Sequence, residues 1–177
     1  MNQIMDAAEL METMQDMIRI GSNLPDIPMY ELSPDEKVFL NRVVLGKRVV
    51  IVGVPGAFTP ECHTVHLPGY VNNADTLKKQ GIDEIFCIAV NDPFVMKAWS
   101  DKLKASGKVR FLADTSATFT LAIGLACDLP VLGGVRSRRY SMVLYNGIVV
   151  HLKVEVDTTS LKCSLVEALE FPNMKVG

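Results

Sequence analysis

The chain has 177 residues, close to the length of one domain when domains run to about 150 residues. Hydrophobic residues make up 49% of it, enough for a full apolar core, so intrinsic disorder and a disulfide-stapled mini-protein are both excluded. With 18 basic and 20 acidic residues the net charge is −2, which leaves no basic field for binding nucleic acid by counterion release; small molecules and proteins are the partners to expect.

In chain order, Ile4, Ala7, Met11, Met14 and Ile18 recur at steps of three and four, one face of a helix ending near Gly21-Ser22. Residues 1–20 are therefore read as a helical extension and 21–177 as a single domain. Five of the nine methionines fall within residues 1–17, a soft stripe suited to docking on the core, a dimer contact or a tail. Asp6, Glu9, Glu12 and Asp16 stand there against Arg19 alone, unlike a secretory or transit peptide, and a cytoplasmic location is expected. The longest run without charged or strongly polar side chains is Val49 to Phe58, 10 residues, half the roughly 20 that a membrane-spanning helix needs.

Arg48 to Val54 is a β-branched apolar run stopped by Pro55, which reads as a buried central strand. Pro60 to Gln80 follows as a helix, and Glu84 to Val90 as a second buried strand. Asn91-Asp92 then caps a helix that starts at Pro93 or Phe94 and stops at Gly107. Val109 to Ala113 is a third strand, Ser116 to Ile123 a short helix closed by Gly124, and 125–138 an irregular loop. Tyr140 to Tyr145 and Ile148 to Val156 flank Asn146-Gly147, a strong hairpin signal because both turn residues tolerate positive φ. Ser160 to Glu170 closes the chain as a helix. Strand and helix units followed by an antiparallel hairpin and a helix predict an α/β, thioredoxin-like fold, a central mixed β-sheet flanked by helices.

Chemistry concentrates in Val54 to Tyr70, VPGAFTPECHTVHLPGY, which joins the first central strand to the first long helix. Catalytic groups of α/β folds lie at such carboxyl ends of strands. Pro60 suits the first helical turn and so puts Cys62 inside that turn, where free backbone N–H groups and the helix dipole favour thiolate over thiol. Thr59 can point its hydroxyl at the same spot, and Pro55 and Pro60 stiffen the loop and shield the sulfur. Cys62, Cys87, Cys127 and Cys163 form no C-x-x-C pair, so a zinc ribbon and a thioredoxin-type dithiol are not indicated. Cys127 and Cys87 read as small packing residues. Cys62 and His66 share a helix face, yet tetrahedral zinc needs a further protein ligand that the neighbouring sequence does not offer. His66 reads as a satisfied structural histidine.

The run Pro55-Gly56-Ala57-Phe58-Thr59-Pro60-Glu61-Cys62, continued by His66-Leu67-Pro68-Gly69, resembles the active-site signature of peroxiredoxins of the type II, atypical two-cysteine subfamily. Glu61 stands where that pattern often has a small residue. Val90 to Val95, Phe111 to Asp114 and Arg138 to Val143 resemble the same subfamily, so the likeness spans about residues 20–170. It implies a thiol-dependent peroxidase acting on hydrogen peroxide and organic hydroperoxides, with Cys62 as peroxidatic cysteine, Thr59 and Arg139 completing the site and Pro55 shielding it. No metal or other cofactor is implied. Arg136 is read as part of an exposed basic loop, and Arg139 as directed into the sheet.

The resulting sulfenic acid must be reduced before it oxidises further. The resemblance divides between two resolving candidates: Cys87, placed as in plant members, and Cys163, whose Leu161-Lys162-Cys163-Ser164-Leu165 resembles the resolving segment of animal members. Cys163 is favoured because a loop-to-helix junction can move and a central strand cannot. Thioredoxin, glutaredoxin or glutathione is the expected reductant, and a homodimer is expected by resemblance. A redox sensor or relay without rapid turnover is the rival reading.

Overall fold

Seven strands make up the main sheet of the computed structural model, which describes residues 17–171. They are β1 (Pro28–Glu31), β2 (Lys37–Phe39), β3 (Arg48–Gly53), β4 (Glu84–Ala89), β5 (Arg110–Ala113), β8 (Tyr140–Tyr145) and β9 (Ile148–Val154), in the order β2-β1-β5-β4-β3-β8-β9. β3 runs parallel to β4 and β4 to β5, while β1, β2, β8 and β9 pair antiparallel. β3 and β4 are buried at every position after the first, which is why both read as unbroken apolar runs. Alternate side chains serve opposite faces. Val50, Val52, Cys87 and Ala89 pack with α2 (Leu67–Lys79), α3 (Pro93–Leu103) and Cys62 on one side. Val49, Ile51, Phe86 and Ile88 pack on the other with α1 (Leu40–Val43) and α4 (Thr118–Ala122).

The two central strands, α3 capped by the Asp92 carboxylate on the Val95 N–H (2.9 Å), and the hairpin turn at Asn146-Gly147 (φ +47° and +81°) form where local sequence directs them. Three segments depart from expectation. In the helix expected over Pro60 to Gln80, Cys62–His66 forms a wider π-turn before α2, closed by the Leu67 N–H on the Cys62 carbonyl. Pro68 lies just beyond and has no N–H to return to Thr64, so the regular ladder cannot run through this stretch. The expected loop over 125–138 is instead a two-stranded hairpin, β6 (Ala126–Leu129) with β7 (Gly134–Ser137), turned by Gly133 and Gly134 at φ +94° and +117°.

The expected C-terminal helix over Ser160 to Glu170 does not form; only Val166–Ala168 makes a single 3₁₀ turn. Side chains capture the backbone donors first. The Asp157 carboxylate accepts from the Thr159 and Ser160 N–H groups, and Glu155 Oε1 accepts from those of Lys162 and Ser164. β1, β2 and α1 had no sequence expectation. The expected N-terminal helix lies outside the described residues except for its end, where Ile18 donates to the Ile123 carbonyl (2.9 Å) and buries its side chain.

Gly53 closes β3 opposite Tyr140. A Cβ there would lie 1.9 Å from the Tyr140 ring, so glycine alone lets the buried ring cross the strand end. Arg139, one residue before Tyr140, is thus delivered to the carboxyl end of β3, where the Cys62 turn begins.

Candidate active site

The loop from Val54 to Thr59 is built to present Cys62. Pro55 and Gly56 are buried, the Ala57 N–H donates to Asn91 Oδ1 (2.9 Å), and Phe58 adopts φ +63°. A left-handed conformation in a bulky residue is strained and persists only where its surroundings impose it. Here the Phe58 ring stacks on His63 at 5.7 Å and tilts against Trp99 at 6.3 Å, while Trp99 Nε1–H donates to His63 Nδ1 (3.0 Å). The His63 N–H reaches the Thr59 carbonyl (2.9 Å) and opens the helix, which seats Cys62 in the first turn with no exposed surface.

Arg139 arrives from the other side of the sheet end, 77 residues away, and is 1% exposed. Its Nη1 lies 3.2 Å from Cys62 Sγ and 3.1 Å from His66 Nδ1, and its Nη2 donates to the Thr158 carbonyl at 3.0 Å. Arginine stays charged when buried and needs compensation. Among the described residues no carboxylate lies within ion-pair distance of Arg139, so a thiolate at Cys62 is the anion that would balance it. The buried Nε has no partner among the described residues and remains a donor for an incoming oxygen.

His66 orients this guanidinium. Its Nε2 lies 3.0 Å from the Ser164 carbonyl, which only accepts, and its Nδ1 faces the guanidinium, which only donates. Both partners are satisfied by the neutral ring with the proton on Nε2. Burial, aided by the Arg139 charge, lowers the His66 pKa to about 4. The unfolded chain takes up this proton near pH 6.5 and the folded chain only near 4, so the contribution is full above about 6.5 and is lost as pH falls towards 4. About 3 kcal/mol of stability should disappear across that window. Denaturant titrations at pH 7 and 4.5 should show a steep loss in the wild type that His66→Gln lacks; equal losses would remove His66 as the source.

The structure brings some of the expected site residues together and sets others apart. Cys62 and Arg139 come together, with Pro55 buried at the loop start. Thr59 lies three residues before Cys62 on the same loop, and its hydroxyl proton goes to the Gly56 carbonyl (3.0 Å), so Oγ1 offers a lone pair, not a proton, to a ligand. Arg136 is not a solvated loop residue: it donates to the Leu132 carbonyl across the β6–β7 turn, and its Nη1 lies 3.1 Å from where a Cβ on Gly56 would be. Cys127 is half-buried at the hairpin, its thiol 3.6 Å from the Arg136 carbonyl, because strand β6 is only partly covered. Cys87 is buried in β4, where burial pushes its thiol pKa well up. Cys163 is half-buried and points at the Val154 carbonyl (3.5 Å); burial and then the Glu155 charge push its thiol up. Sequence reasoning assigned no site role to Asn91, Tyr70, Glu155 or Ser164. For Glu155 a signal existed, an acid directly after the largely apolar strand run IVVHLKV.

The family model described as Redoxin matches residues 19–169. Peroxiredoxin-2C of Oryza sativa subsp. japonica is 44% identical over 133 residues, covering 73% of this chain and 82% of that protein. Peroxiredoxin-2D of Arabidopsis thaliana is 43% identical over 142 residues, covering 78% and 88%. Among solved structures, reduced Prx3 from Vibrio vulnificus in complex with hydrogen peroxide superposes with a TM-score of 0.82 at 42% identity, covering 86% of this chain and 93% of that one.

Proposed function

The chain belongs to the redoxin family as a peroxiredoxin, a thiol peroxidase, and we propose that Cys62 is the thiol that takes oxygen from hydrogen peroxide and small organic hydroperoxides. The observation that carries this is the buried Arg139 guanidinium 3.2 Å from the buried Cys62 sulfur. The Vibrio vulnificus relative, solved with hydrogen peroxide, supports the substrate class.

The thiolate attacks one peroxide oxygen, an S–O bond forms as the O–O bond breaks, and the second oxygen leaves as hydroxide or alkoxide and takes a proton. Negative charge moves from sulfur along the O–O axis, and donors fixed along that path lower the barrier because they need no reorganisation. Arg139 supplies them through Nη1 and the unpartnered Nε. Thr59 Oγ1, its own proton committed to Gly56, accepts the peroxide O–H and holds the molecule in line. Pro55, buried at the loop start, limits water around the sulfur.

Cys62 is left as a sulfenic acid, and a second thiol displaces water from it to form a disulfide. We propose Cys163 for this step. Cys87 is paired through β4 to strands on both sides and its thiol is held protonated by burial. Cys163 lies in a segment tied down by side chains and not by a strand ladder: for it to move, the Lys162 and Ser164 N–H groups must leave Glu155 and the Ser164 carbonyl must leave His66 and Tyr70. The Cys62 turn must also unwind, since a disulfide brings the sulfurs to about 2 Å. Thioredoxin, glutaredoxin or glutathione then returns both thiols, in a proposed cytoplasmic setting that keeps cysteines reduced. A homodimer is proposed as well, and exposed Phe94, Leu121 and Val131 supply apolar surface for it.

Steady-state peroxide consumption with each of the three reductants tests the reading: many turnovers per chain are expected, whereas one equivalent consumed would leave a sensor or relay. For resolution, Cys163→Ser should react with the first equivalent of peroxide at the normal rate, then accumulate sulfenic acid and over-oxidise, while Cys87→Ser stays near wild type. Peptide mapping under non-reducing conditions should give a Cys62–Cys163 disulfide. A Cys62–Cys87 peptide with a defective Cys87→Ser would transfer the role to the strand cysteine, and full activity of both variants with glutathione and glutaredoxin would assign resolution to the external thiol.

A further inference from the structure

Glu155 follows the end of β9, directly across the sheet edge from Arg139, whose carbonyl accepts the Glu155 N–H at 2.9 Å. Its side chain is buried, and a single oxygen, Oε1, accepts three donors: the Lys162 N–H (2.7 Å), the Ser164 N–H (2.9 Å) and the Ser164 hydroxyl (2.8 Å). Burial alone would raise this carboxyl's pKa; the donors outweigh it and hold the group ionised. The segment from 157 to 165 has no helix or strand of its own, so the direction of the Ser164 carbonyl depends on this clamp. That carbonyl receives His66 Nε2–H and the Tyr70 hydroxyl (2.7 Å). His66 then presents its Nδ1 lone pair to the same Arg139 nitrogen that faces Cys62.

We propose that Glu155 is a positioning residue for peroxide reduction: by clamping residues 162–164 it sets the Ser164 carbonyl, which fixes His66, which aims Arg139 Nη1 at the Cys62 sulfur. This rests on the peroxidase reading above. Glu155 touches neither peroxide nor the Cys62 sulfur and acts by geometry. Its backbone pairing with Arg139 would survive a side-chain change, so the carboxylate is separable from the strand edge. Geometry and simple charge make opposite demands. Removing a negative charge from the surroundings of Cys62 would by itself make its thiolate easier to form, whereas misaiming Arg139 makes it harder.

The test is Glu155→Gln, which keeps the shape and one acceptor and loses the charge that grips three donors. Two readouts are taken: the rate constant for the first equivalent of hydrogen peroxide, and the pH midpoint for alkylation of Cys62 by iodoacetamide, which needs no peroxidase activity. We expect a rate about tenfold lower, since small misplacement of a catalytic group carries such costs, and an alkylation midpoint moved to higher pH. In combination with His66→Gln the two losses should not multiply, because both act on one relay. Should Glu155→Gln fail to fold, Ser164→Ala removes one of the three donors and keeps the carbonyl; its rate should fall about threefold with a midpoint shift of the same sign. A midpoint that is unchanged or lower, a rate within twofold of wild type, or losses that multiply with His66→Gln would overturn the proposal. A wild-type protein that alkylates at Cys62 but ignores peroxide would instead overturn the peroxidase reading.

Discussion

Cys62→Ser is expected to retain the fold and lose peroxide turnover, to below about 1% of wild type. A serine hydroxyl does not ionise near neutral pH, and its oxygen is a poor nucleophile towards the O–O bond. Removal of the thiolate therefore removes the reacting electron pair, not an auxiliary contact. The site should accept the change structurally: Cys62 is fully buried in a helical first turn, and a hydroxyl there can still accept from Arg139 Nη1, which now lies 3.2 Å from sulfur. Peroxide consumption with a thiol donor measures the loss, and a thermal melt checks the fold. Turnover above a few per cent in a folded variant would show that another of the four cysteines carries the chemistry.

Arg139→Met comes next in size, with the first peroxide reaction slowed by about 10² or more. Methionine keeps the length and apolar bulk but deletes every donor. The thiolate loses its facing charge and the departing oxygen loses its donors, so the pH midpoint for Cys62 alkylation should rise together with the barrier. Stability should change for reasons separate from rate. Exchanging a buried charge for a well-packed apolar side chain is often neutral, although the Thr158 carbonyl and His66 Nδ1 each lose a donor, at about 1–3 kcal/mol for a buried group left unpaired. Stopped-flow peroxide kinetics beside denaturant melts separate the two effects. An unchanged rate constant would reduce Arg139 to a structural bridge between the Cys62 turn and the 158 carbonyl.

Parallel strands buried on both faces announce themselves as continuous apolar runs, so β3 and β4 were legible to within a residue of their ends. The Cys62 site was legible too, because strand, proline-stiffened loop and helix start are consecutive in the chain. The departures have separate origins. The C-terminal stretch has the apolar spacing of a helix, yet Asp157 and Glu155 take its backbone donors; Glu155 reaches donors seven and nine residues ahead. The β6–β7 strands are short and only partly buried, which left no alternation strong enough to separate them from loop.

By itself the sequence determined the α/β class, the alternation of central strands and helices, the family resemblance and the placing of Cys62 in a helical first turn, since each depends on neighbours within a few residues. Tertiary structure alone decided what surrounds the sulfur. Arg139 is 77 residues from Cys62, the Ser164 carbonyl is 98 from His66 and 94 from Tyr70, and each meets its partner through the strand order and the path of the segment after β9. Local propensity carries no information about such pairings. Packing decides them, because a guanidinium, an imidazole and a carboxylate excluded from water need partners that only the fold can bring to them.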